Sequence, residues 1–261
     1  MNLGVPPSFW FLVAALVGLV VGSYLNVVIH RLPLEISTVL PPSACPACGA
    51  AIRWYDNLPV VSWIALGGRC RDCDARIPLR YPLVEAATAV AFAGAVGRWG
   101  ASFAALAAAV LAALLVALGW IDLDHFLLPD KLTLPGIALG LASQLVVAGG
   151  SLSRGLVGAL AGAGVLLVVA GLWELLRGVE GMGLGDVKML AMVGAFLGVA
   201  GVVVTLVFAT VLGALVGLGL VAARRGTLSA RLPFGVFLAI GGLVALYAGD
   251  ALVAFYLGAA G

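Results

Sequence analysis

Apolar residues run along this chain in long, nearly unbroken blocks. They show neither the alternation of a half-buried strand nor the single stripe of a soluble helix. Eight blocks stand out, at about 8–29, 83–97, 102–121, 132–149, 155–176, 187–197, 200–222 and 235–259. A helix that is apolar all round is buried in protein or in lipid. Most of these blocks approach or exceed the roughly 20 residues a helix needs to cross the hydrocarbon core. Only helices and closed barrels satisfy their own backbone groups in lipid. The pattern therefore predicts an all-α polytopic membrane helix bundle of about eight transmembrane helices. The sixth block is short, so 187–222 also reads as one long tilted helix, or as a half-helix followed by a full one. The first block lacks a preceding basic segment and is followed by further spans, which makes it a transmembrane helix rather than a cleaved signal peptide.

A polar stretch from about His30 to Tyr81 interrupts the pattern. The domain reading is thus a first transmembrane helix at 1–29, an insert at 30–82 and a seven-helix body at 83–261. The 36 glycines suit close helix packing, because small residues let backbones approach where lipid supplies no hydrophobic drive. No internal repeat emerges.

Composition and charge sharpen this picture. The chain is 63% hydrophobic and 10% charged, against roughly 25% charged in soluble domains. Net charge is +2 and no basic patch is interleaved with aromatics, so nothing points to nucleic acid. With eight spans and an outside N-terminus, the inner loops hold Arg31, Arg53, Arg69, Arg71, Arg76, Arg80, Lys131, Arg177, Lys188, Arg224, Arg225 and Arg231. The outer loops hold only Arg98 and Arg154. Merging the sixth and seventh spans would move Arg224, Arg225 and Arg231 outside, so the positive-inside rule favours eight. This orientation places the insert and the acidic segments 122–130 and 180–186 on the cytoplasmic side.

All four cysteines lie in the insert, as Cys45-Pro-Ala-Cys48 and Cys70-Arg-Asp-Cys73, with 21 residues between the pairs. Two such pairs match a four-thiolate zinc site, in which each knuckle supplies half a tetrahedron. Each is followed by a small turn and an isoleucine, Ile52 or Ile77, as in two similar half-sites. The other reading, two disulfides, conflicts with a reducing cytoplasmic location. Four thiolates leave no open position for water, so the expected zinc is structural, giving a core to a segment that otherwise lacks one.

Acids at membrane boundaries are costly. Asp122-Leu-Asp124-His125 closes the third span, and Pro129-Asp130 opens the fourth with Asp130 as its expected N-cap. Asp124 and His125 read as interfacial loop residues. Asp122 is open between a helix-end carboxylate and a catalytic one. Gly183-Leu-Gly185-Asp186-Val-Lys188 enters the sixth span. Asp186 is equally open between a first-turn acid favoured by the helix dipole and a catalytic acid. A phosphate-binding loop is disfavoured there, since no strand precedes it. Two carboxylates that meet share one proton and can divide the work of general acid and base.

The chain resembles the bacterial type IV prepilin peptidases, bifunctional leader peptidases and N-methyltransferases. The resemblance runs over nearly the whole length and in order. It comprises Gly22-Ser-Tyr-Leu-Asn26-Val-Val-Ile-His30-Arg31-Leu-Pro33, the paired Cys-x-x-Cys insert, Arg80-Tyr-Pro-Leu-Val-Glu85, Ile121-Asp122 before Leu128-Pro129-Asp130, and Gly183-Leu-Gly185-Asp186-Val-Lys188. It implies that Asp122 and Asp186 are the catalytic pair, and it is what prefers Asp122 over Asp124. It implies a prepilin or pseudopilin substrate with a basic leader, cut after glycine on the cytoplasmic side of the inner membrane. It also implies methylation of the new N-terminus with S-adenosylmethionine, associated with the insert, although no soluble methyltransferase fold is readable there. Expected plain roles are helix packing for Gly22, a satisfied interfacial amide for Asn26 and an inner-leaflet anchor for Arg31; Glu85 reads as a first-turn acid or, in the alternative, as a contact for the substrate or the methyl donor. Lys188 either orients Asp186 or snorkels. Competing readings are a peptidase without methylation and a transporter with a cytoplasmic zinc knuckle. A transporter would more often show repeated halves and acids at mid-membrane.

Overall fold

The helices begin and end where the sequence punctuates them. In the computed structural model, which describes residues 6–178, 183–223 and 232–259, α1 (Pro7–Arg31) starts behind Pro6 and α5 (Asp130–Val146) behind Pro129. Proline suits a helix start because its missing N–H would be unpaired there anyway. Left-handed glycines close two others. Gly100 (φ 65°) ends α3 (Arg80–Trp99), and Gly178 (φ 68°) ends α6 (Leu152–Arg177). The remaining helices are the short α2 (Val61–Ala65), α4 (Phe103–His125), α7 (Leu184–Ala222) and α8 (Phe234–Ala259). No strand forms among the described residues; two isolated bridges occur, both in the insert. Glu180, Arg224, Arg225 and Arg231, used in the charge and loop readings, lie outside the described residues.

The protein is all-α, and five of its described helices (α1, α4, α6, α7 and α8) are long and apolar enough to cross a membrane. The eight apolar blocks fall on α1, α3, α4, α5, α6, the two halves of α7, and α8. α7 runs 39 residues but is broken at Gly198, where φ 72° and ψ −171° leave the helical region.

Contacts on either side show that the chain reverses at this break. The first arm runs alongside α5 in the same direction. Lys188 meets Asp130 at the start of α5, and Gln144 near its end donates to the carbonyls of Ala195 and Phe196. The second arm runs against α8. Gly241 abuts Thr205, Gly213 faces Phe237 and Gly217 faces Leu232. The start of α8 in turn sits on Asp122, at the end of α4 and just before α5. α7 is therefore a hairpin, and the single-tilted-helix reading of 187–222 is excluded. At 1.5 Å per residue the first arm, 184–197, is about 21 Å long, short of a hydrocarbon core of about 30 Å.

Contacts divide the chain into two units, Met1–Ala117 and Leu118–Gly261. In the first, α1 packs along α3 through glycines. A Cβ at Gly18 would lie 2.6 Å from Ala89 Cα, and one at Gly22 would lie 2.6 Å from Glu85 Cα. Gly22 thus has the packing role expected of it. In the second, α7 is central, with α5, α6 and α8 packed on it. Gly158 of α6 and Gly194 of α7 cross so closely that a Cβ on either would strike the other's carbonyl.

This crossing predicts a contrast between two glycines of one helix. Gly158→Ala should destabilise by about 1–3 kcal/mol through overpacking. Gly164→Ala, with nothing within 4 Å of its added carbon, should be neutral or slightly stabilising. Thermal melting in detergent measures both; equal melting temperatures would contradict the crossing.

Candidate active site and four-cysteine cluster

Asp122 lies in the last turn of α4 and is 6% exposed. Its Oδ2 accepts the Val236 N–H at 3.2 Å, from the first turn of α8. A helix N-terminus offers unpaired N–H groups and the positive end of its dipole, which suits a carboxylate. The fit is tight. A Cβ at Gly235 would lie 2.8 Å from Oδ2, so a side chain there would force a shift. Asp124, two residues on, is exposed.

Asp186 is the third residue of α7, behind the N-cap Gly183. That makes it the first-turn acid that one reading of the sequence expected. The initial turns of α7 and α8 close on one side chain, Leu128. A Cβ at Gly185 would lie 2.8 Å from Leu128 Cβ, and one at Gly235 would lie 3.1 Å from its Cδ1. Gly185 is thus small because of a side chain. Asp122 and Asp186 are electrostatic neighbours in this arrangement. The residues of α8 that grip Asp122 were missed in the sequence reading; the available signal was Pro233-Phe234-Gly235, a helix start bearing a glycine.

Contacts redefine the expected roles of four residues. Asp130 is not an N-cap. Pro129 holds that position, and Asp130 pairs instead with Lys188 at 2.6 Å. Through this pair Lys188 ties the start of α5 to the start of α7. Glu85 is the sixth residue of α3, past its first turn, and accepts the Val60 N–H at 2.7 Å. Arg31 donates to the carbonyls of Ser37, Pro41 and Pro42, anchoring the loop that follows α1.

The cysteine pairs form two matching knuckles. Cys45 N–H donates to Ala50 O and Cys70 N–H to Ala75 O. Ile52 N–H donates to Ser43 O, and Ile77 N–H to Gly68 O. The turn residue in the left-handed region is Gly49 (φ 72°) in one knuckle and Asp74 (φ 56°) in the other, both residue types that tolerate it. All four thiols are free, and their sulfurs lie within 4.8 Å of one another. Backbone N–H groups of Cys48 and Ala47 pull the Cys45 thiol down to about 7, while the neighbouring thiols and burial push Cys73 up to about 12, so the four share their protons unevenly. The cluster is therefore able to hold a metal ion. Arg71 pairs with Asp56 at 2.7 Å and Arg53 with Asp72 at 3.2 Å, linking the turn at Trp54–Asn57 to the second knuckle.

Fold and site together define a polytopic membrane helix bundle with a pair of neighbouring acids at helix ends and a four-cysteine insert. The sequence matches the family models described as the bacterial peptidase A24 N-terminal domain, over residues 16–99, and the type IV leader peptidase family, over residues 109–218. It is 43% identical to a prepilin leader peptidase/N-methyltransferase of Burkholderia pseudomallei (strain 1026b), covering 97% of this chain and 89% of the relative. Proteins of the same description from Aeromonas hydrophila and Pseudomonas aeruginosa are each 40% identical. The first alignment covers 96% of this chain and 95% of the relative, the second 98% and 96%. This chain belongs to the type IV leader peptidase family. No solved structure matches it.

The cluster predicts about one metal ion per chain, by its four thiolates. Cys48→Ser with Cys73→Ser should abolish that metal, read by elemental analysis of the purified protein. A metal content unchanged by the double substitution would contradict the site.

Proposed function

We propose that this chain cleaves the leader from type IV prepilins or pseudopilins and then methylates the new N-terminus, with Asp122 and Asp186 as the hydrolytic pair. The observation that carries the reading is that the first turn of α7, which bears Asp186, and the first turn of α8, which holds Asp122, pack on the same Leu128 side chain. The names of the relatives support the substrate and both activities, and disfavour the transporter.

In this reading the two carboxyls share one proton, because like charges brought close together cannot both ionise readily. The ionised carboxylate takes a proton from water. The protonated partner polarises the scissile carbonyl, and the activated water attacks the carbonyl carbon. Collapse of the tetrahedral intermediate breaks the C–N bond, and the departing amine takes up a proton. The cut follows the leader glycine. A helical substrate must unwind locally, since its amides are otherwise engaged in its own hydrogen bonds. Orientation follows the basic loops: N-terminus outside, acids and insert at the cytoplasmic face of the inner membrane. The proposed metal is structural zinc held by Cys45, Cys48, Cys70 and Cys73, which fits four thiolates with no place for water. S-adenosylmethionine supplies an electrophilic methyl group for the second activity.

The test is incubation of a prepilin in detergent with wild type, Asp122→Asn and Asp186→Asn, with product N-termini read by mass spectrometry. Wild type should remove the leader after glycine and add one methyl group when S-adenosylmethionine is present. Each variant should lose about a hundredfold to ten-thousandfold in cleavage, the scale of acid–base catalysis. Normal cleavage by both variants would make the carboxylates structural and sink the peptidase mechanism.

A further inference from the structure

The first unit contains a cavity of about 290 Å³, close to the lower end of the roughly 300–1,000 Å³ typical of ligand pockets. Its wall includes Asn26 and His30 from α1, Trp63 from α2, and Tyr81 and Glu85 from α3. Cys45 and Cys70 of the cluster line it as well, so the cavity adjoins the four-cysteine site, and neither acid of the hydrolytic pair is on its wall. Asn26 is 3% exposed. Its Nδ2 donates to Gly22 O at 3.4 Å and to Tyr81 O at 3.1 Å. These two carbonyls fix which way the amide points and turn its Oδ1 away from them. That Oδ1 is buried with no partner. The expected fully satisfied amide is thus half satisfied, and a buried orphan acceptor is costly to keep.

Glu85 adds a second acceptor and a carboxylate. It is 7% exposed, its Oε2 accepts the Val60 N–H, and the Ser23 hydroxyl also donates to the carboxylate. Val60 has φ 61°, an outlier for a β-branched residue. Such strain persists where surrounding structure enforces it, often beside ligand sites; here Glu85 enforces it. Of the basic side chains on the wall, Arg31 is engaged with three backbone carbonyls and Arg71 with Asp56; His30 and Arg76 line it as well. The wall thus presents an orphan acceptor and a carboxylate, and the complement to both is a cationic hydrogen-bond donor.

We infer that this cavity is the methyl-donor site, in which Asn26 Oδ1 and the Glu85 carboxylate receive the cationic groups of S-adenosylmethionine. The inference rests on the methyl-transfer reading above. The donor carries a sulfonium and an ammonium, and its other groups demand a partly apolar pocket, for which Trp63 provides an indole wall. Glu85 has a further part as a positioning residue for the Val60 turn.

Binding and location test this with the full-length protein in detergent. Photocrosslinking with radiolabelled S-adenosylmethionine, followed by peptide mapping, should label peptides within 23–31 or 58–85. In calorimetry with S-adenosylhomocysteine, Asn26→Leu and Glu85→Gln should each weaken binding about tenfold or more, the scale of a lost buried polar contact. Unchanged melting temperature and metal content identify variants that remain folded. If a variant unfolds, the crosslink on wild type decides. Labelling confined to 118–261, or unchanged affinity in both folded variants, would overturn the inference while methyl transfer by wild type still stood. Wild type that neither binds nor transfers would instead overturn the methyl-transfer reading on which it rests.

Discussion

The second unit depends on how a carboxylate is kept at the end of an apolar helix. Asp122 is nearly excluded from solvent, where an uncompensated charge is expensive. The answer here is the N-terminus of α8, whose Val236 N–H reaches its Oδ2. The approach requires bare backbone at Gly235. Once α8 starts there, the second arm of α7 must descend alongside it and the first arm must rise alongside α5. The reversal at Gly198 follows, as does the position of Asp186 at the foot of the first arm. Leu128 fills the space between the two initial turns, and Lys188–Asp130 locks α7 to α5 at the same level. An ion pair of this exposure contributes little to stability; its effect is on register.

The insert solves a different problem. Some fifty residues leave large apolar side chains such as Val39, Trp54 and Ile64 exposed and build no apolar core of their own. Two knuckles in matching hydrogen-bond register bring four sulfurs together instead. The insert is then pinned to the helices of its unit by polar contacts. Asn26 donates to the Tyr81 carbonyl, and Glu85 holds Val60. The Trp63 indole donates to Ile77 O and covers Gly68. These contacts frame the cavity, so the same residues that attach the insert also shape its binding potential.

Much of this was legible in the chain itself. The apolar blocks mark the helices because the membrane leaves no other way to satisfy a backbone. The Cys-x-x-Cys spacing and the repeated isoleucine anticipated two equivalent knuckles. Even the division of 187–222 was foreshadowed, by charge rather than by any local helix breaker, since Gly198 is one glycine among many. What stayed hidden is tertiary. Asp130 beside a proline carries the local signature of a cap, yet its partner is Lys188, far along the chain. Glu85 sits near a helix start, yet its partner is a loop amide. Local propensity cannot reveal that Gly235 is a glycine because of Asp122, or Gly185 because of Leu128. The acids themselves became specific only through the ordered family motifs.

The most direct test of the central claim, that hydrolysis requires Asp122 to be seated on the first turn of α8, is the kinetics of Gly235→Ala on a prepilin. The added carbon would displace the Asp122 carboxylate without touching its chemistry. The account predicts a large fall in kcat with KM little changed and a lowered melting temperature, the protein remaining folded. Wild-type kcat in a folded Gly235→Ala protein would contradict it.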